Sequence, residues 1–393
     1  MPASPAPASL PSPIGREEQL YWLALQLIPG LGPRRVLSLL ERFQTPAAIF
    51  RATASELEAA GAPLGAAHAI TSGSTFDEAV SQQEKALALG VNVVTFADAH
   101  YPRALRSIFE PPPLLFLRGR VDLLQSLMIA IVGTRRPTAY GISASEQLAR
   151  QLAEHGVTVT SGMARGIDTA AHRGALQIGG NTAAVLGCGV DVVYPAENRK
   201  LADEIATKGL LISEFPMSTP AYPQNFPIRN RLVSGLSAGV VVVEGARHSG
   251  SMITARLAIE QGRELYAVPG NITSKLSWGP NLLIKQGATL VQSVEDILTT
   301  LSEEDQRRLK KPLAPSGFEQ GQLELQAPAA QAMVSPAARQ LLKLIPLDEP
   351  LHLDALLDSG LPLSSSETIA ALFELEMAGL VRQLPGKRYL KVW

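Results

Sequence analysis

A single cysteine, Cys188, stands in 393 residues. That excludes an intrachain disulfide framework and any zinc site built on cysteine thiolates. An excess of one charge is missing as well: 35 Lys and Arg against 36 Asp and Glu give a formal net charge of −1. No global field draws a polyanion to such a chain, so any anion site must come from local placement of arginine and lysine. No run approaches the roughly 20 apolar residues of a membrane helix, and no membrane insertion is expected. The opening "MPASPAPASLPSPIG" lacks the basic and apolar regions of a signal peptide. Its Pro/Ala/Ser composition reads as a disordered tail, residues 1–16, on a cytoplasmic protein. The six histidines show no ligand spacing, so neither a metal nor a cofactor is expected. Asp168 and His172 are four apart and would share a helix face, which alone marks neither a triad nor a metal site.

Three structured segments follow the tail. Residues 17–85 read as a helical domain of SAM or helix-hairpin-helix type. Within it "IPGLGPRRVLSLL" has the glycine-turn-helix form in which backbone N–H groups can hold a phosphate, or in which Pro and Gly simply build a turn. The second hairpin, around "GAPLGAAHAI", reads as poorly formed and lacks basic residues. From 90 to 297 short β-branched runs alternate with helical stretches: "VNVVTF", "LLFLRG", "MIAIVG", "VTVTSG", "TAAVLG", "GLLISEF", "GVVVVEG", "ELYAVPG" and "ATLVQS". The alternation predicts an α/β, Rossmann-like, doubly wound parallel sheet, its strands covered on both faces. Residues 298–335, rich in Pro, Gln and Ala, read as a linker. Residues 336–393 predict three helices and a β-hairpin, a winged helix.

In an open parallel sheet ligands bind beyond the carboxyl ends of the strands. There the loops carry Thr134, Arg135 and Arg136; then Arg165; then Arg199 and Lys200; then Arg229, Asn230 and Arg231; then Arg247, Ser249 and Ser251. Five loops with basic residues at one edge, in a chain of almost no net charge, point to an anion site. Arginine suits phosphate because its planar fork donates two parallel hydrogen bonds. The loop "IVGTRRPTAYG" is neither a Walker-type P-loop nor G-x-G-x-x-G, and it presents Arg135 and Arg136 outward instead of wrapping a pyrophosphate. Catalytic constellations are thin. Asp168, Glu214 and Glu244 lie near this edge without a spacing that pairs acid with base. Ser249 and Ser251 stand where serine usually caps a helix. The third helix of the winged unit carries Glu367, Glu374 and Glu376 and no lysine or arginine, so it is poorly suited to read a duplex. A protein contact or a regulatory lid fits it better.

These residues carry a resemblance. "IVGTRRPTAYG", "SGMARGIDTAAHRGAL", "VLGCGVDVVYPAENRKL", "FPIRNRLVSGLS" and "VVVVEGARHSGSMITARLAIEQGRELYAVPGN", in this order, resemble the DNA-processing protein A family, also called Smf. The resemblance implies a Rossmann-like domain that binds single-stranded DNA, forms a homodimer and loads the RecA recombinase in natural transformation, without catalytic turnover. It places the DNA-contacting loop on Gly133, Thr134 and Arg135, a basic patch on Arg199 and Lys200, and further contacts on Asn230 and Arg231. The family more often has serine where Thr134 stands. Arg136 and Arg165 join the expected site from their place in the loops. Tyr194, Tyr222 and Phe226 are the aromatics near enough to stack on bases. Two rival readings stay open: an enzyme cleaving nucleotide N-glycosidic bonds, with Glu244 in "VVVVEG" where such chemistry would lie, and an adaptor whose arginine edge docks an acidic protein.

Overall fold

The structure, a computed structural model, describes residues 15–247, 249–309, 335–346, 350–358, 361, 363–378 and 380–391. Residues 1–14 of the expected tail and 310–334 of the expected linker lie outside the described residues. The chain divides into two compact units, Met1–Arg136 with Ser145–Lys311 and Pro137–Ala144 with Pro312–Trp393.

The larger unit begins with six helices: α1 (Arg16–Gln26), α2 (Pro33–Phe43), α3 (Pro46–Arg51), α4 (Ala54–Ala59), α5 (Leu64–Thr71) and α6 (Phe76–Ala88). Local chemistry sets their starts. Thr45 accepts from the Ala48 N–H, and Thr53 and Glu56 close a reciprocal capping box. The second hairpin, α4 to α5, forms more fully than its sequence suggests. The Ala62 N–H donates to Leu57 O (3.0 Å), and Leu57, Ala66, Ala67 and Ile70 join one apolar cluster with Val36, Leu39 and Ile49.

Nine strands follow where the apolar runs stand: β1 (Asn92–Thr95), β2 (Leu114–Gly119), β3 (Met128–Val132), β4 (Thr158–Ser161), β5 (Thr182–Val185), β6 (Leu210–Ser213), β7 (Gly239–Val242), β8 (Glu264–Ala267) and β9 (Thr289–Leu290). They make one sheet in the order β1-β2-β6-β5-β4-β3-β7-β8-β9. From β6 to β9 every pairing is parallel. The crossovers carry α8 (Ala139–Glu154), α9 (Ile167–Gln177), α10 (Arg199–Lys208), α11 (Asn225–Leu236), α12 (Gly250–Glu260) and α13 (Trp278–Lys285). The strand pattern alternates between two cores: Leu115, Leu117, Ala183, Val185, Leu210 and Ile212 on one face, Leu114, Phe116, Ala184 and Leu211 on the other. Winding proceeds outward from β3 to β6 on one side and from β7 to β9 on the other, so the topological switch point lies between β3 and β7.

Three features depart from the sequence reading. Strand β2 runs antiparallel to both its neighbours, β1 and β6, and the connection from β1 to β2 carries only the one-turn helix α7 (Arg103–Arg106). The helical segment is not a separate body either. Trp22, Leu23 and Ala24 of α1 and Ala79 and Ala86 of α6 share a core with Leu114, Phe116 and Leu211 of the sheet. Gln82 clasps the Met217 backbone, accepting from its N–H (2.7 Å) and donating to its carbonyl (3.3 Å). Finally, residues 298–309 of the expected linker belong to the sheet unit. Leu301 is buried, Tyr266 shares a hydrogen bond of 2.7 Å with Thr300, and a short helix runs from Glu303 to Arg308.

In the smaller unit three helices, Pro336–Leu344, Leu353–Leu357 and Ser365–Met377, pack around Leu341, Leu342, Leu356, Leu372 and Leu375. The expected hairpin is β11 (Val381–Leu384) and β12 (Arg388–Lys391), and a two-residue strand, β10 (Leu351–His352), adds to β12. This is the winged helix expected from the sequence.

Candidate functional site

The loop after β3 is braced into the switch point. The Thr134 N–H donates to Glu244 O at the end of β7 (2.7 Å), and the Ile167 N–H at the start of α9 donates to Thr134 O (3.2 Å). Gly133 is needed for this close approach. A Cβ there would lie 2.5 Å from Ile167 Cγ1 and 2.9 Å from the Glu244 carbonyl oxygen. The Thr134 hydroxyl accepts from the Arg136 N–H (3.3 Å), a tight turn that leaves both Arg135 and Arg136 exposed.

Beside this loop opens a cleft of about 710 Å³. One wall is the 133–136 loop; another is α11, whose Phe226, Arg229, Asn230 and Val233 line it at the i, i+3, i+4, i+7 spacing of one helix face. The third is the start of α12, with Ser249, Gly250 and Ser251. Ser249 occupies the N-cap position but makes no capping bond; its hydroxyl instead meets that of Ser251 at 2.8 Å. The helix start therefore turns two hydroxyls and its partial positive charge toward the cleft.

Arg229 forms the floor. It is 4% exposed and donates to the carbonyls of Gly162 (2.6 Å) and Val185, at the ends of β4 and β5. Gly162 must lack a side chain, since a Cβ would meet Arg229 Nη1 at 2.5 Å. Burial pulls the Arg229 guanidinium below its ordinary range, and the Asp168 carboxylate opposes that shift. Burial likewise pushes Asp168 up, against the pull of Arg229 and of the N–H groups of Ala164 (3.2 Å) and Gly162 (3.1 Å). Asp168 Oδ2 accepts both N–H groups and so fixes the turn after β4. Above the floor, Arg135 lies over the Phe226 ring at 5.5 Å, Arg229 approaches it at 5.9 Å, and Tyr194 packs on it at 5.4 Å. The cleft therefore combines exposed guanidinium groups, amide and hydroxyl donors, and aromatic surface.

The expected site residues separate into three groups. Gly133, Thr134, Arg135, Arg136 and Asn230 all line the cleft. Arg165, Arg199 and Lys200 are exposed outside it. Arg165 pairs with Glu197 at 2.6 Å, a solvent-screened contact that an anion could replace. Arg199 and Lys200 open α10, whose start is anchored by Asn198 donating to Met163 O (3.0 Å) and Thr169 Oγ1 (2.9 Å). Arg231 is not brought to the cleft: it is buried, is not part of the lining, and forms an ion pair with buried Glu214. Its place is taken by Arg229, which the helical spacing from Phe226 could have singled out. At the rim the structure adds a pair not foreseen, Arg247 over the Trp278 ring at 5.0 Å.

The candidate catalytic groups are not brought together. Glu244 is 2% exposed and does not line the cleft. His172 is buried on α9, with Nδ1 2.7 Å from Thr182 Oγ1. That hydroxyl donates to Val159 O, so it accepts from a neutral His172 Nδ1–H. Burial holds the imidazole down at about 3. Burial likewise raises the Cys188 thiol to about 11, far from a reactive thiolate at neutral pH.

Known proteins resemble this chain in both sequence and fold. The sequence model of the family described as DNA recombination-mediator protein A matches residues 92–302, and that of the DprA winged helix domain matches 325–387. Protein Smf of Escherichia coli K12 is 41% identical over 289 residues, 73% of this chain and 74% of its own length. DNA processing protein DprA of Bacillus subtilis 168 is 44% identical over 215 residues, 54% of this chain and 72% of its own. The X-ray structure of DNA processing protein A from Streptococcus pneumoniae superposes with a TM-score of 0.63 at 34% identity, covering 73% of this chain and 99% of that one.

Proposed function

Because this chain belongs to the DNA recombination-mediator protein A family, we propose that its switch-point cleft binds the backbone of single-stranded DNA. On this reading the protein acts in the cytoplasm as a homodimer that protects incoming strands and loads RecA onto them in natural transformation, with no catalytic turnover. One observation carries the DNA reading: the braced loop Gly133–Arg136, the Arg229 floor and the hydroxyl-bearing start of α12 converge on one cleft. Arg135 and Arg136 supply charge to phosphates, and the α12 start supplies neutral donors. Phe226 and Tyr194 offer faces on which unstacked bases can lie, which a duplex keeps covered. Arg165, Arg199 and Lys200 extend the basic track beyond the cleft. The N-glycosidic reading is disfavoured by the burial of Glu244 away from the cleft lining.

The test compares fluorescent oligo-dT with a duplex of equal length. Preference for the single strand is expected; equal affinity for both would overturn the cleft assignment. For the wider role, RecA filament growth on an oligonucleotide coated with single-strand-binding protein should start sooner when the protein is added. An unchanged lag would refute loading. Sedimentation at micromolar concentration should give a dimer mass, and a monomer would refute that part alone.

A further inference from the structure

We propose that the third helix of the winged-helix unit is a docking face for a partner protein's amphipathic helix, one whose apolar stripe is bordered by lysine or arginine. The helix Ser365–Met377 buries Thr368, Ala371, Leu372 and Leu375 against its own unit. Its opposite side carries Ile369, Phe373 and Met377, 52%, 64% and 74% exposed. At spacing i, i+4, i+8 these three form one continuous stripe a little over two turns long. Scattered exposed apolar residues need no explanation, whereas an ordered apolar stripe between polar borders marks an interaction surface.

The borders decide the partner. Glu376 flanks the stripe on one side and Glu374 on the other, Glu367 stands at the helix start, and the helix has no lysine or arginine. Each carboxylate is held in place. Glu367 closes a capping box with Ser364, Glu374 accepts from the N–H and hydroxyl of Ser335 (both 2.7 Å), and Glu376 accepts from the Gln383 N–H (3.3 Å). The acidic borders are thus pre-positioned, which lowers the ordering cost of meeting cationic side chains. The same borders work against other occupants. Duplex phosphates and anionic lipid would be repelled. A second copy would set two identical acidic rims against each other. An amphipathic helix lying in an apolar groove with lysine or arginine at its edges satisfies both stripe and rim.

Two short labelled helical peptides test this, one of leucine and lysine and one of leucine and glutamate, titrated with the full chain and followed by anisotropy. The Leu/Lys peptide should bind and the Leu/Glu peptide should not. Phe373→Ser should weaken the Leu/Lys complex by about tenfold or more, as expected for a central aromatic anchor. Glu376→Lys should weaken it through the rim. Unchanged circular dichroism and an unchanged melting profile in both variants show that the winged unit is folded. Absence of Leu/Lys binding, or equal binding to wild type and Phe373→Ser, would overturn the proposal. So would a fall in sedimentation mass on Phe373→Ser, which would make the stripe a self-interface.

Discussion

Arg229 and Arg231 stand two positions apart on α11, a rotation of roughly 200° about the helix axis, so they face opposite ways. Arg229 reaches the strand-end carbonyls beneath the cleft, while Arg231 reaches Glu214. Breaking a buried ion pair leaves one charge unpaired, at a cost of about 3–5 kcal/mol. Arg231→Ala should therefore lower the urea midpoint strongly while the salt dependence of oligo-dT binding by the folded fraction stays that of wild type. Normal stability with a shallower salt slope would return Arg231 to the interface. Phe226→Leu should do the reverse. Losing a stacking face costs about 1–3 kcal/mol of affinity with no lost phosphate contact, hence weaker binding at unchanged slope. Sequence alone shows two arginines in "FPIRNR" but not the rotation of the helix that carries them. The cleft face becomes legible only when Phe226, Arg229, Asn230 and Val233 are read together as one helical side.

At the scale of elements, the 133–136 loop is preorganised by hydrogen bonds to β7 and α9 and by the absence of a Cβ at Gly133. Gly133→Ala would press a methyl against a backbone oxygen that has nowhere to move. Overpacking of this kind costs about 1–3 kcal/mol, so the variant should melt earlier and bind oligo-dT less well. A variant matching wild type in both would show that the loop is not braced as described. The buried strands were legible, because short apolar runs bounded by glycine or serine are what a twice-covered strand requires, while the two-residue edge strand β9 was legible only from "ATLVQS". The direction of β2 was not, since an apolar run carries no polarity. The joining of the front helices to the sheet had a signal in "WLAL", residues 22–25. Four consecutive apolar residues cover more than one side of a helix, and α1 accordingly packs on two cores. The acidic third helix of the winged unit was legible as unsuited to duplex reading, but its exposed apolar stripe required the packed structure.

For the whole molecule, stability and binding respond to solution conditions in ways fixed by named groups. His172 is neutral in the fold down to about 3, against an ordinary value of 6.5, so the unfolded chain takes up a proton first as pH falls. Its contribution is full above 6.5 and declines between 6.5 and about 3, at most about 1.4 kcal/mol per pH unit. Asp168 and Glu214, shifted upward by burial, act oppositely, since the fold holds their protons more tightly. The difference in unfolding free energy between wild type and His172→Asn isolates the histidine; it should shrink from pH 7 to pH 5, and a constant difference would contradict a neutral buried His172. With a net charge of −1, the proposed affinity for DNA rests on the cleft and its rim, not on the molecule's overall field. That claim is tested most directly by the salt dependence of oligo-dT binding for wild type and Arg135→Ala. Each phosphate contact on a single strand contributes about 0.7 to the slope of log affinity against log salt. The expected result is a steep wild-type slope that falls by about 0.7 in the variant, with weaker binding at every salt concentration. Equal slopes and affinities would remove Arg135, and the cleft with it, from the DNA interface.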